Sequence, residues 1–121
     1  MKVSKKFYEK PNYFGLISKE DTKERKTKAK KSFKRKGYDD SYFWSYDQTL
    51  AKFLNTTLPG FHKSHKKIVE DPELNDVILP KMIEGFKLLK KYDTNPLTQD
   101  ELNKISEAFT LLGQNYNKLW I

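Results

Sequence analysis

Residues 98–120, TQDELNKISEAFTLLGQNYNKLW, carry the clearest folding signal in this sequence. Thr98 and Glu101 have the spacing of a capping box, in which each side chain bonds the backbone N–H of the other residue at a helix start. Apolar residues then recur at intervals of three and four, as expected for one buried helix face. The members of this stripe are Leu102, Ile105, Phe109, Leu112, Tyr116, Leu119 and Trp120. The stretch therefore predicts an amphipathic helix.

Two similar patterns precede this helix. The first starts near Ser41, and we expect Pro59-Gly60 to break or kink it because proline lacks a backbone donor. The second starts at Asp71-Pro72-Glu73, and Pro80 should kink or split it. The first stripe contains Phe43, Tyr46, Leu50, Phe53 or Leu54, and Thr57, and is widened by Trp44, Ala51 and Leu58. The second contains Leu74, Ile78, Met82 or Ile83, Phe86 and Leu89. Because no stretch alternates with a period of two, we predict an all-α fold, a small three- to four-helix bundle with a basic N-terminal arm.

Charge is distributed unevenly along the chain. The 121 residues include 24 Lys and Arg against 16 Asp and Glu, a net charge of +8. Residues 1–37 hold 14 basic and 4 acidic residues, whereas residues 38–121 hold 10 and 12. We therefore divide the chain into a basic N-terminal arm, residues 1–37, and a helical bundle, residues 38–121. Such asymmetry is typical of a segment that meets phosphate or an acidic protein surface.

Composition excludes several classes of protein. With no cysteine, disulfides and thiolate metal sites are ruled out. No apolar run approaches the 18 residues of a membrane span, and the basic N-terminus lacks the apolar region of a secretory signal. We expect an intracellular protein that does not contact membranes.

The cations between residues 19 and 36 are the main candidate binding residues. They could contact nucleic-acid phosphates or an acidic protein surface, or they could be a solvated Lys-rich segment without a ligand. Only Arg25 and Arg35 can form the bidentate fork that reads a guanine, so little base specificity is expected. Alone, this segment should be a frayed helix or coil because it has little to bury. The candidates are Lys19, Lys23, Arg25, Lys26, Lys28, Lys30, Lys31, Lys34, Arg35 and Lys36.

Aromatic residues interleave with these lysines and could stack on bases. The stacking candidates are Tyr8, Tyr13, Phe33 and Tyr38, with Tyr42 next to them. Phe43, Trp44 and Tyr46 continue into the stripe of the first predicted helix. Core packing is therefore the better interpretation of those three.

The remaining polar motifs favour structural roles. Asp40 or Asp47 could accept a hydrogen bond from the Trp44 indole or cap the helix. His62 and His65 lie one helical turn apart, but no further ligands have a matching spacing and lysines surround them, which favours a solvated basic patch over a zinc site. Glycine-rich phosphate loops, nucleophile elbows and paired carboxylates are missing. We expect no catalytic residues, no metal and no cofactor.

Residues 36–47, KGYDDSYFWSYD, resemble a group of small uncharacterised proteins of tailed bacteriophages. That pattern runs basic residue, Gly, aromatic, small or acidic residue, Asp, and then a helix bearing Trp and Asp three apart, matched here by Trp44 and Asp47. Residues 78–86 and the final Leu119-Trp120 extend the resemblance over residues 35–121. Tyr42 departs from it, since a second Asp is usual there, and so does Pro80, where a helix former is usual. The resemblance implies a viral origin and an all-helical body, but no mechanism.

From these observations we expect a non-catalytic phage accessory protein in the cytoplasm of the bacterial host. It would bind a host protein or nucleoprotein complex, as a host-takeover or anti-defence inhibitor, using the Lys-rich arm for electrostatic contact. The alternative is a non-specific DNA- or RNA-binding protein. The sequence leaves the oligomeric state open.

Overall fold

A computed structural model describes residues 6–91 and 95–121 of the chain. Five α-helices account for most of them, and the described residues contain no strand, which confirms the all-α prediction. The helices are α1 (Lys23–Lys36), α2 (Ser41–Trp44), α3 (Tyr46–Ile68), α4 (Leu79–Lys87) and α5 (Gln99–Gln114). Short 3₁₀ turns lie at Phe7–Glu9, Leu88–Lys91 and Tyr116–Lys118, and a π-helical turn at Leu74–Ile78 precedes α4.

The chain divides into two compact units. The first ends at Phe53 and the second begins at Leu54, so the boundary falls within α3. Residues 1–53 hold 15 basic and 7 acidic residues, and residues 54–121 hold 9 of each. The whole net charge of +8 is therefore carried by the first unit.

In the first unit, the aromatic N-terminal segment packs against α1. Tyr8, Tyr13, Ile17 and Ala29 are buried together, with Phe7, Phe33 and Tyr42 packed around them. The ring centroids of Phe7 and Phe33 are 4.8 Å apart, in an edge-to-face arrangement. Aromatic pairs of this geometry stabilise a core beyond the area that they bury.

Residues 19–36 have little to bury on their own, but in the folded protein they pack against this aromatic cluster. Residues 23–36 form a regular helix because Ala29 and Phe33 bury one of its faces. Both ends are capped. The Thr22 hydroxyl accepts a hydrogen bond from the Arg25 backbone N–H at 3.2 Å, and Gly37 ends the helix in the left-handed region, with φ of 85°. Glycine is favoured there because it lacks a Cβ.

The second unit has its own apolar core, formed by the end of α3, the π-helical turn, α4 and α5. Its buried residues are Leu54, Leu58, Leu74, Ile78, Leu79, Met82, Phe86 and Ala108. Of the two outcomes predicted at Pro59-Gly60, a break or a kink, the break is wrong, because α3 continues through both residues. Burial of Leu54 and Leu58 offsets the cost of about 3 kcal/mol that an interior proline imposes.

The later boundaries agree better with the sequence. Pro80 is the second residue of α4 and directly follows the π-helical turn, within a helical stretch that runs without a gap from residue 72 to 87. The wider π-helical turn lies where a proline removes one backbone donor from the helix. The capping box of α5 is confirmed, since the Glu101 N–H donates to the Thr98 hydroxyl at 3.2 Å and the Thr98 N–H donates to the Glu101 carboxylate at 3.0 Å. The helix ends at Gln114, earlier than the apolar stripe suggested.

Candidate functional site

A cleft in the first unit lies between one face of α1 and residues 39–44. Its volume is about 480 Å³, within the range of ligand-binding pockets in proteins. Five cations and two carboxylates line it, together with two hydroxyls and three apolar side chains. The lining residues are Ile17, Arg25, Lys28, Ala29, Lys31, Ser32, Arg35, Lys36, Asp39, Asp40, Ser41 and Trp44.

One face of α1 supplies the cations. Positions 25, 28, 32 and 35 follow one another at spacings of three and four, and Lys31 and Lys36 lie beside this row, so the lining side chains share one broad face. Ala29 and Ser32 lie on the same face and leave space between the long side chains. Arg25 and Arg35 are ten positions apart, which corresponds to about 15 Å along a helix. The side chains of both arginines in the chain thus line the same cleft.

A buried hydrogen-bond network forms the floor of the cleft. The Tyr13 hydroxyl lies 2.9 Å from Ser41 Oγ and donates to Asp39 Oδ2 at 3.2 Å, and Ser41 Oγ donates to the same carboxylate oxygen at 2.7 Å. The Leu16 backbone N–H donates to Ser41 Oγ at 3.1 Å. Burial raises the pKa of Tyr13 above its usual range. The network therefore fixes residues 39–41 against the N-terminal segment.

Gly15 is required where this network passes the backbone. A Cβ at that position would lie 2.3 Å from Ser41 Oγ and 2.5 Å from the Tyr13 hydroxyl. Real Cβ atoms do not approach other atoms so closely. Only glycine lets the Tyr13–Ser41 contact form under the cleft.

The aromatic side chains at the cleft edge are exposed. Trp44 keeps 54% of its surface exposed, Phe43 58% and Tyr46 62%. The Arg25 guanidinium lies over the Trp44 ring, 5.7 Å from the centroid, a favourable cation–π arrangement. The first unit thus presents cations and aromatic faces on adjacent surfaces.

The core assignment of Phe43, Trp44 and Tyr46 is consequently wrong. The sequence pattern assumed one continuous helix from Ser41. Instead α2 ends after four residues, and Ser45 (φ −149°, ψ 85°) separates it from α3. This interruption breaks the 3.6-residue periodicity, so the side chains before and after Ser45 no longer share a face.

The ten predicted binding cations are divided by the structure. Five line the cleft: Arg25, Lys28, Lys31, Arg35 and Lys36. Lys19, Lys23, Lys30 and Lys34 are exposed outside it. Lys26 is half-buried, with its ammonium bonded to the Lys19 carbonyl and lying 5.2 Å from the centroid of the Tyr8 ring.

The predicted stacking residues need a correction. Tyr13 is fully buried and Tyr8 is nearly so, so neither ring is open to a base. Phe33 is half-buried in the same aromatic cluster. Tyr38 is exposed, and the Lys36 ammonium lies 5.8 Å from its ring centroid. Tyr8 and Tyr13 belong to a small core. Aromatic residues that alternate with lysines in a sequence can form either such a core or a surface that stacks on bases, so the pattern alone does not distinguish the two.

Sequence reasoning missed Trp44 and Asp40 as cleft residues. The sequence did contain a signal for this arrangement. Gly37 directly follows the basic helix α1, and the turn at this glycine brings residues 39–44 back against the same helix. The suggested bond from the Trp44 indole to a carboxylate is not recorded in the described part of the chain. Asp47 instead accepts a hydrogen bond from the Ser45 hydroxyl, which lowers the pKa of its carboxyl.

The two histidines form a separate polar cluster in the second unit. His62 Nε2 lies 2.7 Å from the Asn75 carbonyl oxygen, and His65 Nδ1 lies 2.6 Å from Asn75 Oδ1. The Asn75 amide donates to the Val69 carbonyl at 2.9 Å, which orients Oδ1 toward His65. Both imidazoles must therefore donate a proton to these oxygens. His65 is 1% exposed, so the interpretation of both residues as a solvated patch is wrong for His65.

Within residues 6–91 and 95–121, no three His, Asp or Glu side chains come together in an arrangement suited to a metal ion. No helix in this described part is long and apolar enough to cross a membrane.

Comparison with known proteins adds no relative. No protein-family model, no curated protein and no solved structure matches the chain. The resemblance to bacteriophage proteins therefore remains a prediction from the sequence.

Proposed function

We propose that this protein acts by binding, without catalysis, and that its ligand is a single strand of nucleic acid whose phosphates enter the α1 cleft. The observation that carries this proposal is the joint presence of both arginines, three lysines and the half-exposed Trp44 around one cleft. Positive grooves bordered by aromatic rings are the usual means of holding single strands.

The electrostatics of the first unit support this ligand. All of the net charge of +8 lies in residues 1–53, so the field around the cleft attracts polyanions. The two guanidinium groups can each bond a phosphate through two N–H groups, whereas the lysines supply single charges. Phosphate contacts give affinity and orientation but no sequence information.

In its biological setting, the strand would belong to a nucleoprotein complex of a bacterial host. This part of the proposal rests on the resemblance of residues 35–121 to bacteriophage proteins. The protein would then be an accessory inhibitor in the host cytoplasm, with residues 1–37 as its basic arm and residues 38–121 as a helical bundle. Non-specific DNA or RNA binding is the simpler form of the same proposal.

Fluorescence anisotropy with a labelled single-stranded oligonucleotide tests the proposal. If five phosphates are neutralised, the affinity should fall about a hundredfold between 50 and 200 mM salt. The double variant Arg25→Gln/Arg35→Gln should lose most binding. Lys63→Gln/Lys67→Gln removes the same charge outside the cleft and should bind like the wild type.

Two results would overturn the proposal. One is the absence of binding at low salt, and the other is equal affinity of the arginine variant and its control. An acidic protein surface is the competing partner, and poly-glutamate is its probe. If poly-glutamate binds as tightly as the oligonucleotide and depends equally on Arg25 and Arg35, the ligand is an acidic protein and the nucleic-acid assignment fails.

A further inference from the structure

The cleft contains carboxylates that phosphate binding does not explain. Asp39 and Asp40 line it together with the five cations. A carboxylate beside a phosphate site weakens anion binding through repulsion. Asp39 has a structural role, since it accepts hydrogen bonds from the Tyr13 and Ser41 hydroxyls. Asp40 has no such role among the described residues, and its carboxylate can accept a hydrogen bond from a ligand.

Asp40 is the carboxylate that a ligand can reach. It is exposed, its side chain makes no cap hydrogen bond to α2, and no ion pair or side-chain hydrogen bond to it is recorded within residues 6–91 and 95–121. Asp39 beside it is 3% exposed, and its Oδ1 lacks a hydrogen-bond partner in the described part of the chain. The acidic end of the cleft thus has acceptor capacity that the protein itself leaves unused.

Trp44 is placed to work together with Asp40. The two residues are four positions apart across the single turn of α2, and both line the cleft. Side chains at this spacing are neighbours on a helix surface. A base that stacks on the exposed part of the Trp44 ring would bring its edge toward the Asp40 carboxylate.

We propose that the cleft prefers guanine, with the base stacked on Trp44 and its Watson–Crick edge bonded to Asp40. This inference rests on the proposed function. Guanine alone among the bases carries two adjacent donors on that edge, N1–H and the N2 amino group, which match the two oxygens of one carboxylate. Adenine and cytosine pair one donor with an acceptor, and the single donor of thymine or uracil lies between two carbonyl oxygens that repel a carboxylate.

The test uses oligothymidylates with one central position changed to guanine, hypoxanthine, adenine or cytosine. Wild-type protein should bind the guanine oligonucleotide about tenfold more tightly than the unchanged one. Hypoxanthine lacks only the N2 amino group and should lose most of this gain. These comparisons use the wild-type protein and do not depend on the folding of any variant.

Asp40→Asn provides the matched variant. It should abolish the preference for guanine, so that the guanine oligonucleotide and the unchanged oligothymidylate bind with the same affinity. Asp76→Asn, an exposed carboxylate of the second unit, should retain the preference. Equal binding of all oligonucleotides by the wild type, or guanine preference in Asp40→Asn, would refute this inference alone. Failure to bind any of them would instead refute the proposed function.

Discussion

Gly85 sets the distance between α4 and α5. A Cβ at this position would lie 2.6 Å from both the Ala108 Cβ and the Lys104 carbonyl oxygen. Since the clash involves backbone as well as a side chain, the helices have to separate to accept it. We expect Gly85→Ala to lower the free energy of unfolding by roughly 1–3 kcal/mol, measured by urea denaturation.

Gly60→Ala is the control for this substitution. Gly60 lies within α3, and a Cβ there meets nothing within 4 Å. Alanine should raise the free energy of unfolding by up to about 1 kcal/mol, because glycine is the poorer helix former. If Gly60→Ala lowered the free energy of unfolding as much as Gly85→Ala, the close approach of α4 and α5 at Gly85 would not explain the effect.

Tyr13 links stability to alkaline pH. Burial raises its pKa in the folded protein, and the neighbouring Asp39 carboxylate also disfavours the phenolate. The unfolded chain therefore ionises first, near the usual value of about 10. The stabilising contribution is complete below that pH and is lost as the pH rises through the folded value.

We therefore expect the free energy of unfolding to decrease steeply above pH ~10. Tyr13→Phe should be less stable at neutral pH, because Asp39 and Ser41 lose a partner, but its decrease above that pH should be shallower. Burial also raises the pKa of Tyr42, so the free energy of unfolding of the variant should still decrease to some extent at alkaline pH. Parallel curves for the two proteins would show that Tyr13 does not carry the effect.

At the scale of elements, Asn75 connects the end of α3 to the π-helical turn. Its backbone and side-chain oxygens accept from His62 and His65, and its amide donates to Val69. In Asn75→Ala, the buried His65 N–H and the Val69 carbonyl lose their partner. Each unsatisfied buried group costs about 1–3 kcal/mol.

Thermal unfolding of Asn75→Ala should therefore show a markedly lower midpoint than that of the wild type. Asn103→Ala provides the comparison, because Asn103 is exposed on α5 and bonds only Gln99, four residues earlier, among the contacts recorded for its side chain. Its midpoint should change little. Similar midpoints for both variants would mean that the His62–His65–Asn75 cluster contributes little to stability.

At the scale of the whole molecule, function and stability should respond oppositely to the charge of the first unit. Nine cations and one acid crowd α1, and their mutual repulsion opposes folding. Lys28→Gln/Lys31→Gln/Lys36→Gln should keep or raise the midpoint of thermal unfolding at low salt while weakening oligonucleotide binding. At high salt the stability difference should vanish because screening removes the repulsion. A lower midpoint would show that these lysines stabilise the fold through contacts.

Local patterns predicted the elements that depend on neighbouring residues. The capping box at Thr98 and Glu101 formed as expected, since its partners are three positions apart and need no tertiary contact. The helical stretch that begins after Asp71, with Pro72 at its first position, follows from the same local chemistry. The all-α class followed from the 3.6-residue period.

Predictions that required knowledge of distant partners failed. Proline and glycine at 59 and 60 suggested a break or a kink, and the break does not occur, because burial of Leu54 and Leu58 outweighs the local cost. The sequence identified the cations of α1 as candidate binding residues. It did not predict that five of them share a cleft with Asp40 and Trp44.

By itself, the sequence determined the all-helical class, the N-terminal cap of α5 and the concentration of positive charge near the N-terminus, because each depends on composition or on spacings within one helical turn. The tertiary structure decided which aromatic rings are buried and which border the cleft. It did so through one interruption at Ser45 and one buried network, in which Tyr13 reaches residues 26 and 28 positions away. Contacts over such separations arise only when the chain folds back on itself, and no local pattern encodes them.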